Sequence, residues 1–174
     1  MKFLLVIDMQ NDFITGSLAN QRAQEIMEPI SNYIDEFDGE VILTRDTHDF
    51  RYLYTREGRY LSIPHCIKWT PGWKIPRADC KRSDVTYIDK NTFGAANEIA
   101  NAILSLAGES TIDTIEVVGT VTEICVVSNV LGLKALFPET DFIVHADMCA
   151  GLTDEGHNAA LTVMAACQII IFGQ

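Results

Sequence analysis

Five short runs of the chain are almost continuously apolar, at residues 3–7, 41–43, 85–88, 115–118 and 142–144, and a sixth at 168–172 closes it. Alternation within them is weak, which predicts strands covered on both faces. Between the runs, apolar positions recur at helical spacing. Ala95, Ile99, Ala102, Ile103 and Leu106 lie three and four residues apart and share one helix face. Pro29 suits the first turn of a helix that runs on to Phe37, with Glu28 near the positive end of its dipole. Two further helices are predicted, one after Thr122 up to Phe137, before Pro138, and one from Asp154 to Ala166.

Six strand runs in 174 residues leave about 29 residues per unit, the size of a strand plus a crossover helix. The pattern therefore predicts an α/β fold: three α/β/α layers around a doubly wound, mostly parallel six-stranded sheet. In such a sheet the crossovers are right-handed, and ligands gather beyond the carboxyl ends of the strands. Residues 1–174 read as one domain, without internal repeat or Gly/Ser linker, and 48% apolar residues can fill a sizeable core. One irregular stretch, 46–84, holds Gly58, Pro64, Pro71, Gly72 and Pro76. A loop of that length usually has a function.

Charge narrows the choice of partners. Thirteen Lys and Arg against 24 Asp and Glu give a net charge of −11, the wrong sign to attract nucleic acid or an anionic membrane surface. The acidic excess reads as a solvated surface. No apolar run approaches the roughly 20 residues that a membrane span needs, and the start lacks the long apolar core of a secretory signal, so a cytoplasmic protein is expected. Five Cys, at 66, 80, 125, 149 and 167, are odd in number and irregular in spacing, which argues against a disulfide framework.

Candidate chemistry sits where the strands end. The first ends in Ile7-Asp8-Met9-Gln10-Asn11-Asp12-Phe13, the second in Thr44-Arg45-Asp46-Thr47-His48, the third in Ile88-Asp89-Lys90, and the fourth in Val118-Gly119-Thr120. A short turn, Val121-Thr122-Glu123-Ile124, then leads to Cys125 at the start of a helix. Free Cys is ordinarily a core filler, and Cys80, Cys149 and Cys167 read that way. At a helix start beside an ammonium, however, the Cys125 thiol is expected below its free value of about 8.5, as a nucleophilic thiolate. Lys90, at the end of a buried strand, calls for a charged partner, and Asp8 is the obvious one. Cys125, Asp8 and Lys90 would then form a nucleophile, proton carrier and cation. Asp46 and His48, two apart at a strand end, can face one point, with His65 arriving from the long loop. One carboxylate and two imidazoles suit Zn(II), Fe(II) or Mn(II).

These segments, with Pro64-His65-Cys66-Ile67-Lys68-Trp69-Thr70-Pro71-Gly72 and Asp89-Lys90-Asn91-Thr92-Phe93-Gly94, resemble the isochorismatase-like cysteine hydrolases, specifically the nicotinamidase/pyrazinamidase branch. The resemblance covers essentially the whole chain. It implies Asp8 as catalytic acid/base, Lys90 as positioning cation and Cys125 as attacking sulfur. It also implies a cis peptide between Thr120 and Val121, and an oxyanion hole from the N–H groups of Val121 and Cys125. Asp46, His48 and His65 would hold a divalent metal, zinc first, that binds the substrate's ring nitrogen or a water. The activity implied is hydrolysis of a small carboxamide such as nicotinamide through a thioester, by a homodimer or homotetramer.

Phe13 and Trp69 are candidate aromatic walls of the substrate pocket, and Glu57 a candidate further ligand or supporting group at the metal. Thr47 and residues 49–58 depart from the branch's usual pattern. Blander or rival readings stand beside these. His48, His65, Cys66 and Cys80 could make a structural zinc site, and Asp12, rather than Asp8, is the better turn-capping residue. His145 and His157 have no evident constellation. Isochorismatase-type cleavage of a vinyl ether would need no metal, and a catalytically silent binding module could share the fold.

Overall fold

The computed structural model describes residues 1–76 and 81–173. Its first half contains β1 (Lys2–Ile7), the short helices α1 (Asn11–Ile14) and α2 (Gln21–Glu25), α3 (Met27–Glu36), β2 (Glu40–Asp46), a 3-10 turn (Tyr52–Tyr54) and α4 (Arg56–Tyr60). There follow β3 (Val85–Lys90), α5 (Ala96–Ala107), β4 (Thr114–Thr120), a π-helical turn (Thr122–Val126), α6 (Val127–Leu136), β5 (Asp141–Ala150), α7 (Asp154–Ala166) and β6 (Ile170–Phe172). The strands form one six-stranded sheet in the order β3-β2-β1-β4-β5-β6. Every neighbouring pair is parallel, so the sheet expected to be mostly parallel is wholly so.

Both faces of the sheet are covered. Phe3, Leu5 and Ile7 of β1 pack into the cluster that holds Ile99 and Ile103 of α5, Val130 and Leu133 of α6 and Leu161 and Met164 of α7. Leu4 and Val6 point the other way, to Ala23 of α2 and Ile30 and Ile34 of α3. That double cover is why β1 reads as a continuous apolar run. Each such side chain, fully buried, contributes about 1.5–3 kcal/mol.

Strand order reverses between β1 and β4, so their following loops diverge and leave a crevice at their carboxyl ends. The two strands approach closely there. Gly119 has φ +124°, and a Cβ on it would stand 2.2 Å from the Ile7 carbonyl oxygen, so only glycine fits. The register of β4 against β5 also shifts between Val117 and Gly119, which re-aims the end of β4.

Three elements run differently from expectation. β5 continues to Ala150, well past the apolar 142–144, because polar His145 and Asp147 interrupt the pattern without ending the ladder. The 46–84 stretch folds locally into the 3-10 turn and α4, the latter capped by Thr55, whose hydroxyl accepts from the Gly58 amide. Elements of three and five residues are too short for hydrophobic periodicity to announce. Among the described residues no helix is long and apolar enough to cross a membrane. Cys66, Cys125, Cys149 and Cys167 are free, and Cys80 lies outside the described residues.

Candidate active site

The carboxyl ends of β1, β3 and β4 bring Asp8, Lys90 and Cys125 together. Asp8 follows β1 with φ +48°, a left-handed conformation that Asp tolerates better than most residues. Its Oδ1 accepts from the Thr44 hydroxyl at 2.7 Å, and its backbone amide donates to Thr44 Oγ1 at 3.2 Å. Lys90 Nζ stands 2.7 Å from Asp8 Oδ2, donates to the Thr92 carbonyl at 3.1 Å and reaches Cys125 Sγ at 3.5 Å. A second carboxylate, Asp46 Oδ1, is 3.8 Å away. All of these side chains are buried.

Burial sets the electrostatics. It pushes the Asp8 carboxyl up, against the pull of the Lys90 ammonium. Burial alone would lower Lys90, but Asp8, then Cys125 and Asp46, outweigh it and hold the ammonium above its ordinary value. The depressed Cys125 thiol expected from a helix start beside a cation is not found. Burial first, and the Asp8 charge second, push this thiol well up, and Lys90 only partly offsets them. Burial and the neighbouring carboxylate thus favour the protonated form of the sulfur.

Cys125 lies in the π-helical turn before α6, reached through the cis peptide Thr120–Val121. The Val121 carbonyl accepts from both the Ile124 and Val126 amides, at 3.1 Å each. Asn129, which the sequence did not single out, ties the turn to its surroundings. Its amide donates to the carbonyls of Cys125 at 2.8 Å and Phe93 at 3.2 Å, and its oxygen accepts from the Ala95 amide at 2.8 Å. Gln10 does the same for Asp46, accepting from its amide at 2.7 Å and donating to its carbonyl at 2.8 Å. Gln10, three residues past the end of β1, sits within a strand-end motif, whereas Asn129 lies inside α6, where no sequence signal marks it.

Asp46, His48, His65 and Glu57 offer ligand atoms that all lie within 4.8 Å of one another. Asp46 ends β2 in register with Lys90. The loop returns to pair Ile67 with His48, which sets His65 beside it. The Asp12 carboxylate accepts from the Cys66 amide at 2.7 Å and fixes the same loop, besides accepting from Ser17 at 3.2 Å. His48 Nε2 is 2.9 Å and His65 Nε2 3.3 Å from Asp46 Oδ2, and both are within 3.6 Å of Glu57 Oε1. His65 Nδ1–H donates to the Ile63 carbonyl at 2.9 Å, so the neutral ring turns the Nε2 lone pair on a carboxylate. Two acceptors so close need a cation between them: a proton, or a metal, which this donor set fits. Burial would lower His65, but the Asp46 hydrogen bond, the Ile63 carbonyl and the Asp46 and Glu57 charges raise it. Burial would raise Asp46, but hydrogen bonds from both imidazoles and the Lys90 charge hold it well below the carboxylate range.

Cys125 and this cluster open on a common cavity of about 460 Å³. Phe13, Leu18, Leu61, Phe93, Val121 and Ile124 supply its apolar walls, and Asp46, Glu57 and His65 line its polar end. Phe13 lies against His65, ring centroids 5.7 Å apart. Trp69, expected as a second wall, stands outside the cavity. It is 76% exposed and packs edge-on against the buried Trp73, because the loop turns outward at its positive φ. Phe93, quoted in the sequence but given no role, lines the cavity instead.

Cys66 packs with Phe13 and Trp73 and is not in the ligand group, so the described residues offer no His48, His65, Cys66 zinc site. The two histidines thought isolated do have partners: His145 Nε2 meets Glu116 at 2.6 Å, and His157 Nδ1 meets the Thr122 hydroxyl at 2.9 Å.

Residues 2–172 match the family model described as the isochorismatase domain. The nicotinamidase/pyrazinamidase of Mycobacterium tuberculosis is 28% identical across an alignment of 189 positions covering 97% of each chain. The nicotinamidase of Saccharomyces cerevisiae is 41% identical over 58 residues, which span 30% of this chain and 27% of its own length. Among solved structures, the pyrazinamidase of Pyrococcus horikoshii in complex with zinc superposes with a TM-score of 0.81 at 26% identity, covering 99% of both chains.

Proposed function

The chain belongs to the isochorismatase family of hydrolases, and from that premise we propose that it hydrolyses a small carboxamide of the nicotinamide type to the acid and ammonia. The observation that carries this reading is the buried group of Asp8, Lys90 and Cys125, with the ammonium 2.7 Å from the carboxylate and 3.5 Å from the sulfur.

In the proposed reaction Asp8 takes the proton from Cys125, and the sulfur attacks the amide carbonyl. The N–H groups of Val121 and Cys125 receive the developing oxyanion; loss of one such donor typically slows turnover about a hundredfold or more. The C–N bond breaks as Asp8 returns the proton to the leaving ammonia, which leaves a thioester. Asp8 then takes a proton from water as its oxygen attacks that thioester, and the acid departs as the proton passes back to sulfur. Lys90 favours the ionised form of both partners through these steps. Phe13 and Phe93 would hold a planar ring against the cavity wall.

Asp46, His48 and His65, with Glu57 as fourth donor, would hold the divalent ion, zinc first and iron or manganese as alternatives. When bound it supplies a Lewis acid that orients the substrate ring nitrogen or a water at the polar end of the cavity. The structure of the zinc-bound pyrazinamidase supports a metal of this kind. Exposed Phe50, Leu53, Tyr54 and Tyr60 support the reading of a homodimer or homotetramer.

Ammonia release from a panel of carboxamides, by protein supplied with zinc, iron or manganese, tests the reading. Turnover of nicotinamide or pyrazinamide that disappears in Cys125→Ala is the expected result. Isochorismate cleaved in the presence of chelator, with every amide untouched, would overturn it.

A further inference from the structure

The turn that carries Cys125 is fastened from outside the reacting group. Thr122, its first residue, is fully buried, and its hydroxyl meets His157 Nδ1 of α7 at 2.9 Å. The next residue, Glu123, accepts from the Leu152 amide at 2.8 Å, and Leu152 itself lines the substrate cavity. Two glycines leave room for these contacts. A Cβ on Gly151 would come within 2.8 Å of both Glu123 Oε2 and His157 Cβ, and one on Gly156 within 2.6 Å of Glu123 Oε1.

From this geometry we infer that His157 is a positioning residue: through Thr122 it sets the seat of the turn from which the Cys125 sulfur faces Asp8 and Lys90. The inference rests on the reading of Cys125 as nucleophile. The π-helical turn does not have the regular hydrogen-bond ladder of an α-helix, since one carbonyl, that of Val121, receives two of its amides. Its position therefore depends on what its side chains grip. Loss of the imidazole leaves the buried Thr122 hydroxyl without its partner, a cost that a shift of the turn can relieve. The Lys90 ammonium meets the sulfur at 3.5 Å, and a displacement of about 1 Å at a reacting group can cost about a hundredfold in rate. His157 touches no substrate; its effect is on where the sulfur stands.

The test follows two rates: alkylation of Cys125 by iodoacetamide, read on the Cys125 peptide by mass spectrometry, and kcat for ammonia release. His157→Ala and Thr122→Val should each slow both by about tenfold or more, with KM little changed. The double variant should be no slower than the slower single variant, because both remove one contact. His157→Asn, which keeps a hydrogen-bonding group near the Nδ1 position, and Thr122→Ser, which keeps the hydroxyl, should stay within about threefold of the parent. These two also separate the contact from general damage to folding, which a melting curve on each variant records. Wild-type alkylation rates in His157→Ala and Thr122→Val, or losses that simply multiply in the double variant, would overturn the inference. Alkylation needs no substrate, so it still decides the matter if the parent protein hydrolyses no amide, an outcome that would count against the proposed reaction alone.

Discussion

Replacing Lys90 by methionine keeps a side chain of similar length and removes the charge that the fully buried Asp8 faces at 2.7 Å. At an effective dielectric of about 20, two unit charges at that separation attract by about 6 kcal/mol. Breaking a buried pair from one side commonly destabilises by about 3–5 kcal/mol, because the surviving charge is stranded. For a chain of 174 residues each kcal/mol moves the melting temperature by about 2–4 °C, so Lys90→Met should melt about 6–20 °C lower. Asp8→Asn should lose less, since the ammonium keeps the Thr92 carbonyl and has Asp46 Oδ1 at 3.8 Å. The double variant strands neither charge and should return to within about 1–2 kcal/mol of the parent. Urea unfolding with chelator present, followed by tryptophan fluorescence, gives the three values. The Lys90→Met deficit should also shrink as pH falls. The Lys90 charge pulls Asp8 down in the parent, so its loss lets burial raise Asp8 further, and the folded variant takes up more protons and gains more stability on acidification than the parent does. A double variant that loses the sum of the two single losses would refute the view that Asp8 and Lys90 are held in the core as a pair.

Gly119→Ala should destabilise by about 3 kcal/mol or more, because φ +124° and a Cβ 2.2 Å from the Ile7 carbonyl leave no relaxed position; denaturant midpoints measure it, and a loss under 1 kcal/mol would contradict the close approach of β1 and β4. His65→Ala should abolish tight zinc binding, and Glu57→Gln should weaken it by about ten- to hundredfold, as read by equilibrium dialysis with elemental analysis. Burial holds His157 below its ordinary value, so the folded chain binds fewer protons there than the unfolded one. Stability should therefore fall as pH drops through about 6.5, and His157→Asn should flatten that slope in melting curves.

What was legible in the sequence followed from constraints that act locally. Strands covered on both faces are apolar throughout, and a strand in a parallel sheet delivers whatever follows it to one rim. Asp8, Asp46, Lys90 and Cys125 could therefore be assigned to one rim before any coordinate was known. The two-residue spacing of Asp46 and His48 worked for the same reason, since β2 stays regular through Asp46. What was illegible depends on distant segments. Glu57 joins the Asp46, His48 and His65 cluster because α4, one short turn capped by Thr55, sits over His48 and His65, and no periodicity in five residues announces that. Trp69 and Phe93 are both aromatic residues in loops, and only the path of the backbone decides that Phe93 lines the cavity while Trp69 faces solvent.

The Cys125 thiol shows the same division acting on chemistry. A helix start and a neighbouring ammonium are local signals, and by themselves they favour a thiolate. The folded chain adds two effects that oppose them, nearly complete burial and the charge of the Asp8 carboxylate beside the thiol. A sulfur held in its protonated form is sheltered from adventitious alkylation and oxidation, and becomes nucleophilic only when a base removes its proton. That base must be within reach of the sulfur, so reactivity depends on where the turn is seated as much as on the identity of its residues. The segments that seat it, Asn129 from the start of α6 and His157 from α7, lie beyond the strand-end motifs. On the proposed reaction, a chain could therefore keep Asp8, Lys90 and Cys125 intact and still lose its reactivity through changes four residues after Cys125, or on the following helix.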